Sequence, residues 1–254
     1  MSGTTICAVA QDPARAETWY VEFLSPMPRS YQEVLRRGYI PGRDFRITYG
    51  DSRIDQCLLI APRGGGIEPG SSEIMRAVAE TGGWAWYEFA GFLRQGNRDG
   101  LHIASTDFDE PSLGDLLPRT AFAVVFQGCN TAGDAVAYVG GQLKAGREAV
   151  IESMTASLRD HEIRAVDVME HQVATHLRGA EVSNLANRGK LGKGIQLAFS
   201  REARNLLFPP DASREARGRR SARLRSLADS LHRAIQHVCP LAADQSRQTR
   251  SGAP

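Results

Sequence analysis

The chain has 254 residues, of which 42% are hydrophobic and 24% are charged, and its formal net charge is +2. This composition is typical of a globular protein with a sizeable core, and it argues against a fibrous or intrinsically disordered chain. The nearly balanced charge gives no reason to expect nucleic acid as a partner. The four cysteines form no CxxC pair, residues 1–12 lack the pattern of a secretory signal, and no apolar run could span a bilayer. We therefore expect a cytoplasmic protein that does not contact a membrane.

The first half of the chain alternates helical and extended patterns. A short helix is predicted over residues 30–37 and a longer one from Ser71 to about Glu80, because apolar residues recur there at helical spacing and two glycines then follow. Alternating or continuous apolar runs predict four strands, at residues 45–49, 56–61, 84–90 and 101–105.

The second half continues the alternation and completes the prediction of one α/β domain. Strands are predicted at residues 121–126, 135–141 and 194–200, and helices at 144–158, 201–208 and 213–238; residues 162–168 fit a strand or a helix start. The expected architecture is a single domain over residues 1–241, with a mixed central sheet flanked by helices. The polar residues 242–254 are predicted to form a disordered tail.

One stretch combines a strand, a glycine turn and a helix start. Three glycines separate the strand at 56–61 from the helix that opens at Ser71, and this order places Arg63 and Glu68 at the carboxyl end of a strand. Ligands of open α/β sheets bind at such strand ends. The stretch is therefore the leading candidate for a ligand site, although a tight turn that binds no ligand would have the same sequence pattern.

Seven segments of the chain, in order and at compatible spacing, resemble the poly-γ-glutamate hydrolase family of phage-related zinc amidohydrolases. They are 61–70 (APRGGGIEPG), 86–91 (WYEFAG), 101–111 (LHIASTDFDEP), 127–129 (QGC), 138–141 (YVGG), 184–189 (NLANRG) and 194–201 (GIQLAFSR). The resemblance implies a zinc-carboxypeptidase-like fold. It also implies one zinc ion held by two histidines and a glutamate, with a second glutamate on a late strand as general base.

The residues at these four positions differ from the family pattern in all but one case. The resemblance aligns Arg63 and Gln127 with the two histidines, Glu68 with the ligand glutamate and Ala198 with the general base; Asp107 stands where a further histidine is common. Arginine offers no lone pair to a metal, and a glutamine amide is a poor zinc ligand. The sequence therefore predicts a protein without metal or cofactor, whose altered former active site comprises Arg63, Glu68, Asp107 and Gln127.

Three points stay open from the sequence. A metal site could be rebuilt from Glu68, His102, Asp107 and Cys129. Arg63 and Glu68 could instead form an ion pair, either in an inactive site or in one where Arg63 binds a carboxylate or an oxyanion while an acidic residue acts as acid or base. The third point is which residues would bind a substrate carboxylate. Arginines bind carboxylates bidentately, and the candidate substrate-binding residues are Asn187, Arg188, Arg201 and Arg204.

The function predicted from these residues is that of a repurposed relative of the hydrolases. It would bind a carboxylate-bearing peptide or a glutamyl-type small molecule in the former active cleft, with a non-hydrolytic tailoring step as one candidate reaction. The alternatives are an active γ-glutamyl amidohydrolase with a rebuilt metal site and a non-catalytic binding or regulatory protein. Whether the protein is an enzyme at all is left open by the sequence.

Overall fold

The computed structural model describes residues 27–131, 133–171, 174–208 and 221–251. Within them, seven strands form one mixed sheet. The strands are β1 (Phe45–Gly50), β2 (Cys57–Gly65), β3 (Ala85–Gly91), β4 (Phe122–Gly128), β5 (Val136–Gly140), β6 (Arg164–Asp167) and β7 (Ile195–Phe199). Their order across the sheet is β1-β3-β2-β4-β7-β5-β6. The single α/β domain with a mixed sheet that the sequence predicted is confirmed.

The centre of the sheet is parallel, and its two sides are partly antiparallel. Strands β3, β2, β4 and β7 run in the same direction, whereas β1 pairs antiparallel with β3, and β5 pairs antiparallel with β7. Every residue of β2, β4 and β7 is buried, as expected of parallel strands covered on both faces. The carboxyl ends of β2 and β4 therefore meet at the same edge of the sheet.

Helices cover both faces of the sheet and form two hydrophobic cores. The helices are α1 (Tyr31–Arg36), α2 (Ser71–Gly82), α3 (Asn97–Leu101), α4 (Pro111–Leu116), α5 (Lys144–Ala156), α6 (Leu158–His161), α7 (Arg201–Leu207) and α8 (Ala222–Ser251). Helix α8 packs against α5 and α2 and closes the larger core. Residues of α1 and α4 pack on the opposite face in the second core. None of the helices in the described ranges is long and apolar enough to cross a membrane.

The C-terminal helix buries the apolar face that its spacing predicted. Leu224, Leu227, Leu231, Ile235 and Val238 are each at most 1% exposed. The helix continues to Ser251 and so covers most of the segment expected to be a disordered tail. Its predicted start at residue 213 and the last residues, 252–254, lie outside the described part of the chain.

The predicted strand at residues 101–105 is wrong. Leu101 ends helix α3, and the following segment pairs with no strand of the sheet; its Ser105 carbonyl accepts a hydrogen bond from the Leu185 amide instead. Leu101 and Ile103 are both fully buried, which accounts for the apolar alternation that suggested a strand. The segment runs over the edge of the sheet and brings His102 to the ends of β2 and β4.

Candidate functional site

The candidate site is a cleft of about 490 Å³ at the carboxyl ends of β2 and β4. Its lining includes Arg63 and Glu68 from the glycine turn, Gln127 and Cys129 from the end of β4, and His102 from the segment after α3. The structure thus brings together three of the four residues that the sequence assigned to the altered active site. It also confirms that Arg63 and Glu68 lie at the end of a strand.

Local hydrogen bonds hold the turn that carries Arg63 and Glu68. The pairing of β2 with β3 is irregular between Ala61 and Gly64, and β2 then extends to Gly65. The Glu68 amide donates to the Arg63 carbonyl over 2.9 Å, and the Ser71 hydroxyl at the start of α2 donates to the Glu68 carbonyl over 2.8 Å. Because the turn is closed on itself, the two charged side chains are held at fixed positions at the base of the cleft.

A buried ion pair forms the base of the cleft. The Arg63 Nε atom lies 3.3 Å from Glu68 Oε1, and the two side chains are 9% and 6% exposed. The contact is electrostatic, because the Nε–H bond lacks hydrogen-bond geometry toward any acceptor among the described residues. The second Glu68 oxygen accepts a 2.7 Å hydrogen bond from the Gly128 amide. Both oxygens of Glu68 are therefore engaged, one by Arg63 and the other by the Gly128 amide.

These contacts keep Glu68 ionised. Burial on its own raises the pKa of the Glu68 carboxyl, but the charge of Arg63, the neighbouring His102 ring and the hydrogen bond from the Gly128 amide outweigh it, so that the pKa lies below its usual value. A carboxylate with a lowered pKa and two engaged oxygens is a poor proton acceptor. Glu68 in this arrangement is a fixed countercharge for Arg63.

His102 completes the cluster, although the sequence had considered it only as part of a rebuilt metal site. Its Nε2 lies 3.1 Å from Arg63 Nη1 and 3.6 Å from Glu68 Oε1. Since a guanidinium can only donate, the shorter contact assigns Nε2 as the acceptor and places the proton of a neutral ring on Nδ1. The 3.6 Å contact is too long for a hydrogen bond.

Two further polar groups of the cleft have no hydrogen-bond partner among the residues that the structure describes. Gln127 Oε1 and Ser105 Oγ are buried and accept or donate no hydrogen bond within the described part of the chain. Both residues line the cleft. Unpaired buried polar atoms are costly, so they favour a ligand that supplies the missing hydrogen bonds. An amide or amine donor suits the Gln127 carbonyl oxygen.

Asp107, the fourth residue assigned to the altered site, lies elsewhere. It is exposed and is not part of the cleft lining. Its negative charge acts on Arg188. The loop that follows His102 makes a turn at this point, with the Asp107 amide donating to the Ala104 carbonyl.

Asn187 supports the wall of the cleft from behind. Its amide nitrogen donates to the carbonyls of Gly179 and Glu181, and its amide oxygen accepts from the backbone amides of Gln142 and Gly194. A primary amide has two donors and two acceptor sites, so its hydrogen-bonding capacity is filled. Direct ligand contact, predicted from the sequence, is not what this geometry offers. The residue instead fixes the segment that carries Gly179 and Glu181, which both line the cleft.

Arg188, like Asn187, binds main-chain groups that form the wall of the cleft. Its guanidinium donates to the carbonyls of Ser183, Phe108 and Thr106 over 2.6, 2.6 and 2.7 Å, and to that of Ser105 over 3.4 Å. Arg188 itself does not line the cleft. In this structure the fork that was expected to bind a substrate carboxylate donates to main-chain oxygens instead.

Arg201 and Arg204 lie at a second cavity of about 420 Å³ beside the cleft. Arg201 is exposed, whereas Arg204 is partly buried and donates to the carbonyls of Pro69 and Cys129. These two predicted substrate-binding residues line the second cavity, whereas Asn187 and Arg188 line neither of the two cavities.

Comparison with known proteins gives the family. The family model described as poly-gamma-glutamate hydrolase matches residues 29–230. The chain belongs to the poly-gamma-glutamate hydrolase family. It is similar to the solved structure of a bacteriophage poly-gamma-glutamate hydrolase, with a TM-score of 0.75 and 25% identity over 84% of this chain and 98% of that chain. A structure described as zinc-free YndL has the same fold, with a TM-score of 0.72 and 24% identity over 82% of this chain and 96% of that one.

Three UPF0714 proteins of Bacillus subtilis extend the comparison. The UPF0714 protein YmaC of Bacillus subtilis (strain 168) is 29% identical over 165 residues, or 65% of this chain. The matched segment spans 66% of YmaC, 51% of the prophage-derived YoqZ and 56% of YndL from the same organism. The chain thus covers less than two thirds of the length of these proteins.

The residues at the base of the cleft do not fit the zinc ion implied by the sequence resemblance. Among the described residues, no group of three or more His, Cys, Asp or Glu side chains is arranged to hold a metal ion. The positive charge of Arg63 lies against both Glu68 and His102, two potential metal ligands whose Oε1 and Nε2 atoms are 3.6 Å apart. Burial raises the pKa of the Cys129 thiol, which opposes the thiolate form that zinc requires.

Proposed function

We propose that this member of the poly-gamma-glutamate hydrolase family binds a carboxylate-bearing peptide or amino-acid derivative in the cleft without a metal ion. The observation that carries the proposal is the position of the Arg63 guanidinium, 3.3 Å from Glu68 and 3.1 Å from His102. A permanent cation between two potential ligands supplies by itself the positive charge that a metal would bring, and it repels a second cation.

The chemistry of the cleft supports a peptide-like ligand. Arg98 and His176 on its rim are suited to a carboxylate, and the buried Gln127 carbonyl oxygen and Ser105 hydroxyl are suited to an amide group. Glu181, an exposed carboxylate of the lining, would favour an amine at the other end of the ligand. A γ-glutamyl peptide carries all three groups.

Isothermal titration of the full chain with γ-glutamyl-glutamate, with and without EDTA, tests this function. We expect saturable binding with the same dissociation constant in both buffers. Arg98→Ala should weaken it by roughly tenfold, since a charge-assisted hydrogen bond contributes about 1.5–3 kcal/mol. Arg159→Ala is the matched control, because it removes an exposed guanidinium outside the cleft and should leave the affinity unchanged.

Two outcomes would contradict the proposal. Binding that disappears in EDTA, or peptide cleavage that requires added zinc, would instead support a hydrolase with a rebuilt metal site. The absence of saturable binding at millimolar peptide would show that the cleft does not take this class of ligand.

A further inference from the structure

One polar contact fixes the C-terminal helix α8 to the segment between α2 and β3. The Trp84 indole N–H donates to His232 Nδ1 over 3.2 Å, and the centres of the two rings lie 5.8 Å apart. Trp84 is 2% exposed and belongs to the larger hydrophobic core, whereas His232 on α8 is half-buried. Neither residue lines the cleft or the cavity beside it. The contact therefore acts on the docking of α8.

The hydrogen bond passes directly over the last residue of α2, which is a glycine. A Cβ at Gly82 would lie 2.0 Å from Trp84 Nε1 and 2.5 Å from His232 Nδ1. Such distances are far shorter than a van der Waals contact, so a side chain at this position would separate the two rings. The end of α2 is thus shaped to let α8 approach.

A fixed positive charge lies beside the hydrogen bond. The guanidinium carbon of Arg53, in the loop between β1 and β2, lies 4.3 Å from the centre of the Trp84 ring. Its Nη1 donates to the Gly82 carbonyl over 2.9 Å. A guanidinium is not deprotonated in a protein, so this charge does not depend on pH.

The surroundings of His232 oppose a positive charge on its ring. Among the described residues, the charged groups that act on it are Arg53 from the loop, and Arg233 and Asp229 from α8 itself. Its neighbours Gly82 and Trp84 are uncharged. Burial has the largest effect and, together with the two arginines, outweighs the carboxylate, so that the pKa of His232 lies below its usual value.

The hydrogen bond requires the neutral form of His232. An indole N–H can only donate, so Nδ1 accepts, and the proton of the neutral ring is on Nε2. Protonation would place a second hydrogen on Nδ1, where it would meet the Trp84 N–H. It would therefore break the contact and add a charge close to Arg53.

We propose that the Trp84–His232 contact is a pH-sensitive device, in which the neutral imidazole holds α8 against the end of α2 and protonation in mildly acidic solution loosens the helix. The unfolded chain takes up the proton first, because the pKa of His232 is lower in the folded protein. The stabilisation is therefore complete above about pH 6.5, the usual pKa of histidine. It declines as the pH falls below that value and is lost once the pH has passed the folded pKa.

Urea unfolding at about pH 7.5 and about pH 5.5, on either side of the usual histidine pKa, tests the effect on stability. His232→Asn keeps an oxygen acceptor near the position of Nδ1 and cannot titrate. We expect acidification to lower the folding equilibrium constant about fivefold more in the wild type than in this variant, as for one neutral hydrogen bond. His237→Asn is the matched control, because it removes an exposed histidine of the same helix and should keep the full pH dependence.

Comparison between variants is necessary because a second histidine responds to pH. His161 is fully buried, and burial lowers its pKa as well. Its contribution is the same in the wild type and in His232→Asn, so it cancels in the difference. The two measurements therefore isolate the proton that His232 takes up.

The Trp84 indole N–H gives a direct readout of the contact. Its resonance in isotope-labelled protein is identified by its loss in Trp84→Phe, and it should shift with pH in the wild type and in His237→Asn but not in His232→Asn. Amide exchange of residues 231–238, corrected for its intrinsic pH dependence and compared with that of strand β4, should become faster in acid in the first two proteins only.

Either measurement can overturn the inference. Equal pH dependence of stability in the wild type and in His232→Asn would show that the contact is structural and does not respond to pH. An indole resonance that stays in place between the two pH values would show the same. If His232→Asn does not fold, the indole titration of the wild type and of His237→Asn decides the question.

Discussion

Replacing Glu68 with alanine is expected to lower the free energy of unfolding by about 3–5 kcal/mol, the usual cost of leaving one partner of a buried ion pair without the other. Arg63 is 7% exposed and would remain charged, because a guanidinium cannot be deprotonated in a protein. His102 would be its remaining polar contact in the cluster. Urea unfolding at neutral pH, followed by circular dichroism, measures the loss.

Two controls make this prediction specific. Arg63→Ala should also destabilise, and the double variant should lose less than the sum of the two single changes, by roughly 1–3 kcal/mol of coupling. The exposed pair of Arg119 and Asp51, with side chains 50% and 62% exposed, is the matched comparison; Arg119→Ala should cost less than about 1 kcal/mol. Additive losses, or a Glu68→Ala protein as stable as Arg119→Ala, would show that the pair carries no buried charge interaction.

Arg188→Ala is expected to destabilise the protein by about 2–4 kcal/mol, because four main-chain carbonyls lose charge-assisted donors at a partly buried position. Two of these carbonyls belong to Ser105 and Thr106 in the cleft wall. Arg188→Lys should restore little, since an ammonium cannot reproduce the fork. Urea unfolding gives the stability, and hydrogen exchange of residues 105–108 should show faster opening of the wall.

The same variant distinguishes support of the wall from direct ligand contact. If Arg188 supports the wall, any loss of affinity for γ-glutamyl-glutamate accompanies the loss of stability. An unchanged unfolding free energy together with an affinity more than tenfold weaker would mean that Arg188 contacts the ligand, as its place in the sequence had suggested.

The fold was largely predictable because its strands are short, strongly apolar runs. Six of the seven predicted strands formed close to their predicted bounds, and the ambiguous residues 162–168 form β6. Residues 101–105 failed because burial of Leu101 and Ile103 gives the same alternation whether or not the backbone pairs with a strand. Periodicity reports burial, and pairing depends on neighbours that are distant in sequence.

The site was predictable only in part, for a related reason. The turn between β2 and α2 placed Arg63 and Glu68 together, and an ion pair between them was one of the alternatives that the sequence left open. By contrast, a sequence does not show whether an arginine fork or an amide is already filled by main-chain groups, as those of Arg188 and Asn187 are. His102 and Ser105 reach the cleft through a segment whose course the sequence misassigned.

The metal content of the purified protein tests the central claim most directly. The full chain would be dialysed against a small excess of zinc, freed of unbound metal by gel filtration and analysed by mass spectrometry for zinc per chain. With the Arg63 guanidinium lying against Glu68 and His102, we expect no stoichiometric zinc and unchanged binding of γ-glutamyl-glutamate. One tightly held zinc ion per chain, lost in Glu68→Ala, would contradict the account.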